Sequence, residues 1–179
     1  MTSIPNWEAI SKKLQQESKA GLIQLIQELT AVSPEAQRYL QTRYLKGTTA
    51  DQIAPYRQVI QEQFVTSDWN NTLSWNFAGV QKAIDDYAQS SRGDEVGMAE
   101  LLVAALETAV KFANNFNLQD DDFDNSITEL ADRCTNHFQD YEHLLPTYKR
   151  RIEKIQKIGS DLGYYALDES LDDLTSPYR

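Results

Sequence analysis

Residues 96–116 read VGMAELLVAALETAVKFANNF, and this stretch decides the predicted fold. At the helical period of about 3.6 residues, apolar side chains cover most of the circumference and leave one narrow polar stripe. A helix of this kind is buried by neighbours on several sides. We therefore predict an all-α fold around a central buried helix, either an irregular multi-helix bundle or a short α-solenoid-like array of helical hairpins. The polar stripe consists of Glu100, Glu107, Lys111 and Asn114.

Helices are also predicted before the central stretch. Asn6 is a candidate N-cap of the first helix, while Ser33 followed by Pro34 is typical of the start of the third, whose candidate C-cap is Gly47. Residues 66–74 form a polar link, and no alternating apolar run predicts a strand. The predicted helices cover residues 7–17, 19–32, 34–47, 50–65 and 75–89.

After the central stretch the sequence predicts a loop over residues 117–124 and a helix that begins at Asn125 or Ser126. A last long helix is expected to end near Gly163, a suitable C-cap. Residues 164–179 hold four acidic side chains and few apolar ones. This tail is predicted to be a short helix or an extended strap.

Length and composition are typical of one globular domain. The chain has 179 residues, of which 41% are hydrophobic and 25% charged, and that length can bury a substantial core. We predict a single all-helical domain over residues 1–179. Two lobes are an alternative, with N-terminal hairpins over 1–66, central and C-terminal helices over 75–163, and an acidic tail over 164–179.

Charge and cysteine content narrow the expected location and partners. No apolar run approaches the roughly 18 residues that span a bilayer, no secretory signal is recognisable at the N-terminus, and a single cysteine fits a reducing cytoplasm. The net charge of −10 is uneven: residues 1–90 carry 8 Lys and Arg against 9 Asp and Glu, and residues 91–179 carry 9 against 18. An acidic surface repels phosphate groups. We therefore expect a protein partner, or a second copy of the chain, rather than a membrane or a nucleic acid.

The acidic run at residues 120–124 superficially resembles a calcium-binding loop. An EF-hand loop that begins at Asp120 needs glycine at its sixth position and glutamate at its twelfth, where this chain has Asn125 and Ala131. The pattern therefore fails at both positions. We interpret the acids as the N-terminus of the following helix, whose dipole favours negative charge.

No other motif specifies a metal, a cofactor or a catalytic group. Cys134, His137 and His143 are too few for a structural zinc site, which needs four ligands. A buried cysteine with two ordinary histidines is the favoured interpretation. The chain has no nucleophile elbow and no phosphate-binding glycine loop. An enzyme is not excluded, but no residue is predicted to be catalytic.

The most basic stretch, residues 148–157, reads YKRRIEKIQK and has five positive side chains against Glu153. Basic residues between aromatic ones can bind nucleic acid. Acidic neighbours can also neutralise them within the chain, and we favour that interpretation. The candidate neutralising residues are Asp140, Glu142, Asp168, Glu169, Asp172 and Asp173.

Several segments, taken in order, resemble a bacterial family of small all-helical proteins classified only as a domain of unknown function. The resemblance covers most of the chain, is clearest from Lys82 onward, implies a helical fold and implies no chemistry. At residues 161–166 the family tends to read Asp-Leu-Gly-Trp-Gly-Phe, where this chain has DLGYYA. The similar segments are LIQLIQELTAVSPEAQRYLQTRYL (22–45), KAIDDYAQ (82–89), LETAVKFANNFN (106–117), DDDFDNSITELAD (120–132) and RRIEKIQKIGSDLGYYALDESLDDL (150–174).

The polar stripe and the segments that resemble the family give the candidate binding residues. The resemblance implies either a shared surface at these positions or shared packing and capping roles, and the second interpretation is favoured. No cofactor or metal is predicted. The candidate binding residues are Glu107, Lys111, Asn114, Asn115, Phe123, Asp161 and Tyr164.

The favoured function is a non-catalytic helical protein–protein interaction module. It would bind through a groove between helices or through the acidic C-terminal half. One alternative is a small-molecule or metal-dependent enzyme whose polar site lies on the stripe of the central helix, which would then face a cavity. A less favoured alternative is nucleic-acid binding through residues 148–157.

Overall fold

The described part of the chain is all-α except for one short hairpin, which confirms the predicted fold class. The computed structural model describes residues 6–45, 47–67 and 72–176. Within these ranges, none of the helices combines the length and apolar character that crossing a bilayer requires. The elements are α1 Trp7–Leu14, α2 Lys19–Val32, α3 Pro34–Tyr44, α4 Thr49–Gln61, β1 Phe64–Ser67, β2 Thr72–Trp75, α5 Phe77–Ser90, α6 Glu95–Phe116, α7 Asp121–Asp140, α8 Leu145–Leu162 and α9 Tyr165–Thr175.

Helix α6 lies at the centre of the core, as predicted. The Asp94 carboxylate caps it by accepting a hydrogen bond from the Gly97 backbone N–H at 2.9 Å. Leu101, Leu102 and Leu106 are fully buried. The helix contacts α4, α5, α7 and α8, so neighbours cover it on several sides and leave its polar stripe at the margin, while Val96 and Phe116 at its two ends are exposed as well.

Helix α8 runs parallel to α6, and this alignment positions the polar stripe. The Tyr148 hydroxyl in the first turn of α8 donates to the Val96 carbonyl at 3.4 Å. The Tyr164 hydroxyl, just past the end of α8, donates to the Leu118 carbonyl at 2.6 Å. The two helices therefore begin and end together, with α7 as the returning helix between them. Gly163, at φ 87°, ends α8 as predicted.

Residues 165–175 of the C-terminal tail form helix α9, one of the two predicted conformations, and residues 177–179 lie outside the described ranges. Leu167, Leu171 and Leu174 are buried, and α9 packs on both α7 and α8. The description of this tail as poor in apolar anchors is wrong. Its leucines recur at helical spacing, so all of them face the bundle while the acidic residues face solvent.

An antiparallel hairpin occupies much of the predicted polar link, so the prediction of no strand is wrong. Phe64 lies opposite Trp75 in the β1–β2 pairing. The Phe64 ring packs edge-on against Phe77 at 5.6 Å between centroids, and Trp75 packs likewise against Phe123 at 5.5 Å. A short two-stranded hairpin is marginal alone, and these contacts stabilise it. Residues 68–71 of the link lie outside the described ranges.

One of the two predicted helix caps in the N-terminal half is wrong. Asn6 is the N-cap residue of α1, as predicted, although at φ 63° its side chain makes no capping hydrogen bond within the described residues. Helix α3 ends at Tyr44 with Leu45 as its C-cap, so Gly47 lies beyond the helix end. Helix α4 stops at Gln61, because the following residues enter strand β1.

Helix α7 begins earlier than predicted. The Asp120 side chain accepts a hydrogen bond from the Phe123 backbone N–H at 2.9 Å, which makes Asp120 the N-cap. Asp121, Asp122 and Asp124 lie in the first turn. The interpretation of the acidic run as a helix N-terminus is therefore confirmed, although the start at Asn125 or Ser126 is not.

Candidate functional site

Helix α2 carries an apolar stripe that the rest of the described chain leaves largely uncovered. Leu22, Leu25, Ile26 and Leu29 fall on one side of the helix. The exposed fractions of Leu25, Ile26 and Leu29 are 37%, 45% and 52%. Helix α2 has no buried residue, whereas the corresponding apolar stripe of α5 is buried. The stripe therefore has the residue pattern of a packing surface, but no other described element buries it.

This stripe borders a groove between α2 and α3. The Ser33 hydroxyl accepts a hydrogen bond from the Ala36 backbone N–H at 3.1 Å, and Pro34 opens α3, so the tight joint folds α3 back beside α2. The groove has a volume of about 500 Å³, and all of its lining side chains are uncharged. We call the lining set the α2–α3 groove: Ile26, Thr30, Gln37, Leu40, Gln41, Tyr44 and Leu45.

The chemistry of the α2–α3 groove suits an apolar partner. Tyr44 and Leu45 have exposed fractions of 67% and 64%. Covering apolar surface stabilises a complex by roughly 25 cal/mol per Å². Apolar patches with a polar rim are typical of protein contacts. The polar rim here consists of the amides of Gln37 and Gln41 and the hydroxyl of Thr30. These uncharged groups can form hydrogen bonds with a partner.

The polar stripe of α6 is bound by Arg151 of α8. The Arg151 Nε and Nη2 groups donate to the two carboxylate oxygens of Glu107 at 2.8 and 2.7 Å, and Nη1 donates to Glu100 at 2.5 Å. Arg57 of α4 approaches Glu100 at 3.5 Å. Hydrogen bonding to Glu107, above all, raises the pKa of the Arg151 guanidinium, so that it stays charged. The network joins α4, α6 and α8.

A cavity of about 470 Å³ opens between α6 and α8 beside this network. Its polar lining combines positive and amide side chains with the Glu107 carboxylate, and its apolar lining is aliphatic. The polar stripe is therefore not fully exposed, because part of it faces this space. We call the lining set the α6–α8 cavity: Glu107, Val110, Lys111, Asn114, Arg151, Lys154, Ile155 and Ile158.

The structure brings some of the predicted binding residues together. Glu107, Lys111 and Asn114 line the α6–α8 cavity. Asn115 and Asp161 are exposed and do not belong to the lining of that cavity. A role for these residues in binding stays a prediction.

Phe123 and Tyr164 have packing roles in this structure, which fits the favoured interpretation of their segments. Phe123 is fully buried, so it presents no surface to a ligand. Tyr164 is 3% exposed, and its hydroxyl bonds the Leu118 carbonyl. Burial raises the pKa of Tyr164 to about 12. The two rings pack 6.0 Å apart between centroids.

Cys134, His137 and His143 make separate contacts and do not form one cluster. Cys134 is fully buried, and burial raises the pKa of its thiol to about 12. His137 Nε2 lies 2.9 Å from the Glu95 carbonyl oxygen, and His143 Nε2 lies 3.3 Å from the Glu95 carboxylate. Across the described ranges, no group of three or more His, Cys, Asp or Glu side chains is placed to hold a metal ion.

Among the five positive residues of 148–157, only Arg151 forms salt bridges within the described ranges, and its partners are not the predicted ones. Arg151 pairs with Glu100 and Glu107, and these are the salt bridges of α8 within the described ranges. The acidic residues of 140–142 and 168–173 are not its partners, because the parallel alignment turns Arg151 towards α6. Lys149 and Arg150 lie on other sides of α8, so nucleic-acid binding through them stays a prediction.

The α2–α3 groove was missed by sequence reasoning. The helical spacing of Leu22, Leu25, Ile26 and Leu29 predicts a helix, but a helical pattern alone cannot show whether anything covers its apolar side. Comparison of the chain with models of protein families, with curated proteins and with solved structures gives no match.

Proposed function

We propose that this protein is a helical protein–protein interaction module whose docking surface is the α2–α3 groove. The observation that carries the proposal is the apolar stripe of α2, where Leu25, Ile26 and Leu29 stay between about a third and a half exposed. A solvent-facing helix normally shows polar residues on its outer face. An apolar stripe left open beside a groove is better explained by a partner that covers it.

The partner that fits the groove is an amphipathic helix of another protein. Two adjacent helices form a trough for a third, and residues at helical spacing on the incoming helix would contact Ile26, Leu40 and Leu45. The uncharged lining favours aliphatic or aromatic anchors over charged ones. Polar residues of the incoming helix would face solvent or the amides Gln37 and Gln41.

This location differs from the acidic C-terminal half, which the sequence also offered as a binding surface. Residues 1–90 carry a net charge of only −1. Apolar docking on this half predicts an affinity that changes little between low and high salt, whereas docking on acidic residues 91–179 predicts a steep loss of affinity with salt. A salt titration therefore separates the two surfaces.

A matched pair of tyrosine substitutions tests the groove. Tyr44 lies in the groove and is 67% exposed, and Tyr165 lies at the start of α9 and is 73% exposed. Tyr44→Glu and Tyr165→Glu therefore introduce the same charge at equally accessible positions. Proteins captured from native cytosol by the wild type and by both variants would be quantified, and binding of the purified partner would be measured by calorimetry.

The proposal requires a partner that the wild type and Tyr165→Glu bind equally and that Tyr44→Glu binds at least about tenfold more weakly. Equal binding by both variants would remove the groove as the docking surface. Light scattering checks a second copy of the chain as the occupant. If the wild type is a dimer that Tyr44→Glu dissociates and Tyr165→Glu leaves intact, the occupant of the groove is a second copy of the chain and not a helix of another protein.

A further inference from the structure

Positively charged side chains predominate in the lining of the α6–α8 cavity, although the protein as a whole is acidic. Lys111, Arg151 and Lys154 line it against the single carboxylate of Glu107, whereas the chain as a whole has a net charge of −10. Arg151 is held by Glu100 and Glu107. The salt bridges formed by the described residues include neither Lys111 nor Lys154. Two ammonium groups at the cavity therefore lack a carboxylate partner.

The wall of the cavity is aliphatic. Val110 of α6 and Ile155 of α8 are each 1% exposed, and Ile158 is partly buried against the same core. These side chains belong to the α6–α8 packing, which fixes their positions. Ile158 is the one of these three side chains that retains appreciable accessible surface, so an incoming apolar group would contact it at little cost in ordering the protein.

The Arg151–Glu107 pair gives the cavity a fixed polar end. Its hydrogen bonds of 2.8 and 2.7 Å hold both side chains in one arrangement, as expected of a bidentate pair. The Asn114 amide adds a group that can donate or accept a hydrogen bond. A volume of about 470 Å³ falls within the range of small-molecule sites.

We propose that the α6–α8 cavity binds a small organic anion with a short aliphatic chain. The anionic group, a carboxylate or a phosphate monoester, would lie between Lys111 and Lys154 and accept hydrogen bonds from their ammonium groups. The chain would pack on Ile158, because Val110 and Ile155 are buried and only Ile158 of the three retains appreciable accessible surface. This inference does not depend on docking at the α2–α3 groove, because the two surfaces share no residue.

The test is an NMR titration of the full chain with labelled isoleucine and valine methyl groups. The probes are hexanoate and hexyl phosphate, with hexylammonium as the cationic counterpart and inorganic phosphate as the anion without a chain. We expect saturable shifts of the Val110, Ile155 and Ile158 methyl signals with hexanoate or hexyl phosphate. The tighter of these two ligands identifies the anionic group that the site prefers.

Two pairs of lysine substitutions complete the test. Lys111→Gln with Lys154→Gln removes both ammonium groups from the cavity, whereas Lys149→Gln with Lys157→Gln removes the same charge from residues of α8 outside the lining. The first pair should weaken binding at least about tenfold, and the second should change it less than about threefold.

Three results would overturn the proposal. One is the absence of a saturable methyl shift with both hexanoate and hexyl phosphate. Another is binding of hexylammonium or inorganic phosphate as tight as that of the chain-bearing anions. The third is an equal loss of affinity in the two double variants, which would show a general effect of net charge rather than a site.

Discussion

Arg151 and Glu107 form a bidentate ion pair across the parallel helices α6 and α8, with N···O distances of 2.8 and 2.7 Å. The pair is only partly exposed, since the side chains retain 30% and 38% of their accessible surface. The planar fork of arginine matches both carboxylate oxygens, and lysine cannot reproduce that geometry. The pair therefore fixes the register of α8 against the central helix.

Arg151→Lys should lower the free energy of unfolding by about 1–2 kcal/mol, because charge-assisted hydrogen bonds to Glu107 and Glu100 are lost while the charge is kept. Urea denaturation measures this difference. Arg150→Lys, at an exposed neighbour on the same helix, should stay within about 0.5 kcal/mol of the wild type. Similar losses in both variants would mean that the fork geometry contributes nothing measurable.

Gly97→Ala should destabilise the fold by about 1–3 kcal/mol despite the higher helix propensity of alanine. A Cβ atom at Gly97 would meet the Tyr87 hydroxyl and the Asp94 carboxylate at distances that are too short for contact. Tyr87 is fully buried, and its hydroxyl donates to Asp94 at 2.8 Å. The added methyl group therefore disturbs both the core and the cap of α6.

Gly21→Ala provides the control for this substitution, with thermal or urea unfolding as the measurement. The Cβ atom there would meet the far end of the Glu17 side chain, which is exposed and can move. We expect no change or a gain of up to about 1 kcal/mol from helix propensity. A loss at Gly21 as large as that at Gly97 would contradict the steric explanation.

Phe123→Ala should cost about 3–5 kcal/mol, as for other large-to-small changes in a core. The ring lies among Phe77, Trp75 and Tyr164, with centroid distances of 5.2, 5.5 and 6.0 Å. Phe116→Ala is the matched control, because Phe116 is 40% exposed and should lose far less. Equal costs in denaturant titrations would show that the hairpin and α7 do not share one core.

Tyr164 makes stability fall at alkaline pH. The pKa of its hydroxyl is 10.0 in the unfolded chain and about 12 in the fold, so between these values the native state holds a proton that the unfolded state has released. The stabilisation is complete below about pH 10 and decreases as pH rises towards 12, by at most about 1.4 kcal/mol per pH unit for one group.

Tyr164→Phe should therefore reduce the slope of unfolding free energy against pH between about 10 and 12, while lowering stability at neutral pH by about 1 kcal/mol through loss of the bond to Leu118. Urea titrations at several pH values measure both effects. The buried Tyr87 retains its own alkaline dependence, since burial raises its pKa as well. An unchanged slope in Tyr164→Phe would rule out the assigned contribution.

Much of the fold could be predicted because the spacing of apolar residues and the helix-capping residues are local features of the sequence. The apolar circumference of residues 96–116 predicted the central helix, and Ser33 with Pro34 predicted the joint between α2 and α3. The hairpin escaped prediction because Phe64 and Trp75 are held by aromatic rings from α5 and α7, which are distant along the chain. Tertiary contacts of this kind override weak strand propensity.

The candidate sites show the same division. The polar stripe of α6 could be predicted residue by residue, and Glu107, Lys111 and Asn114 do line one cavity. The positive residues of α8 that line the same cavity, Arg151 and Lys154, could not be predicted. The sequence does not show which side of α8 faces α6. Phe123 lies among acidic residues in the sequence but is buried in the fold, and its burial was not predicted because residues 117–124 were expected to form a loop rather than the first turn of α7.

The sequence by itself determined the all-α class, the central helix, the joint at Ser33 and the end of α8 at Gly163, because helix periodicity and capping depend on neighbouring residues. Only the tertiary structure decided which apolar stripe would be covered and which charges would meet. The stripes of α5 and α9 are buried and that of α2 is largely open. Burial and ion pairing each require two surfaces that meet. The residue pattern along one helix specifies only one of those two surfaces.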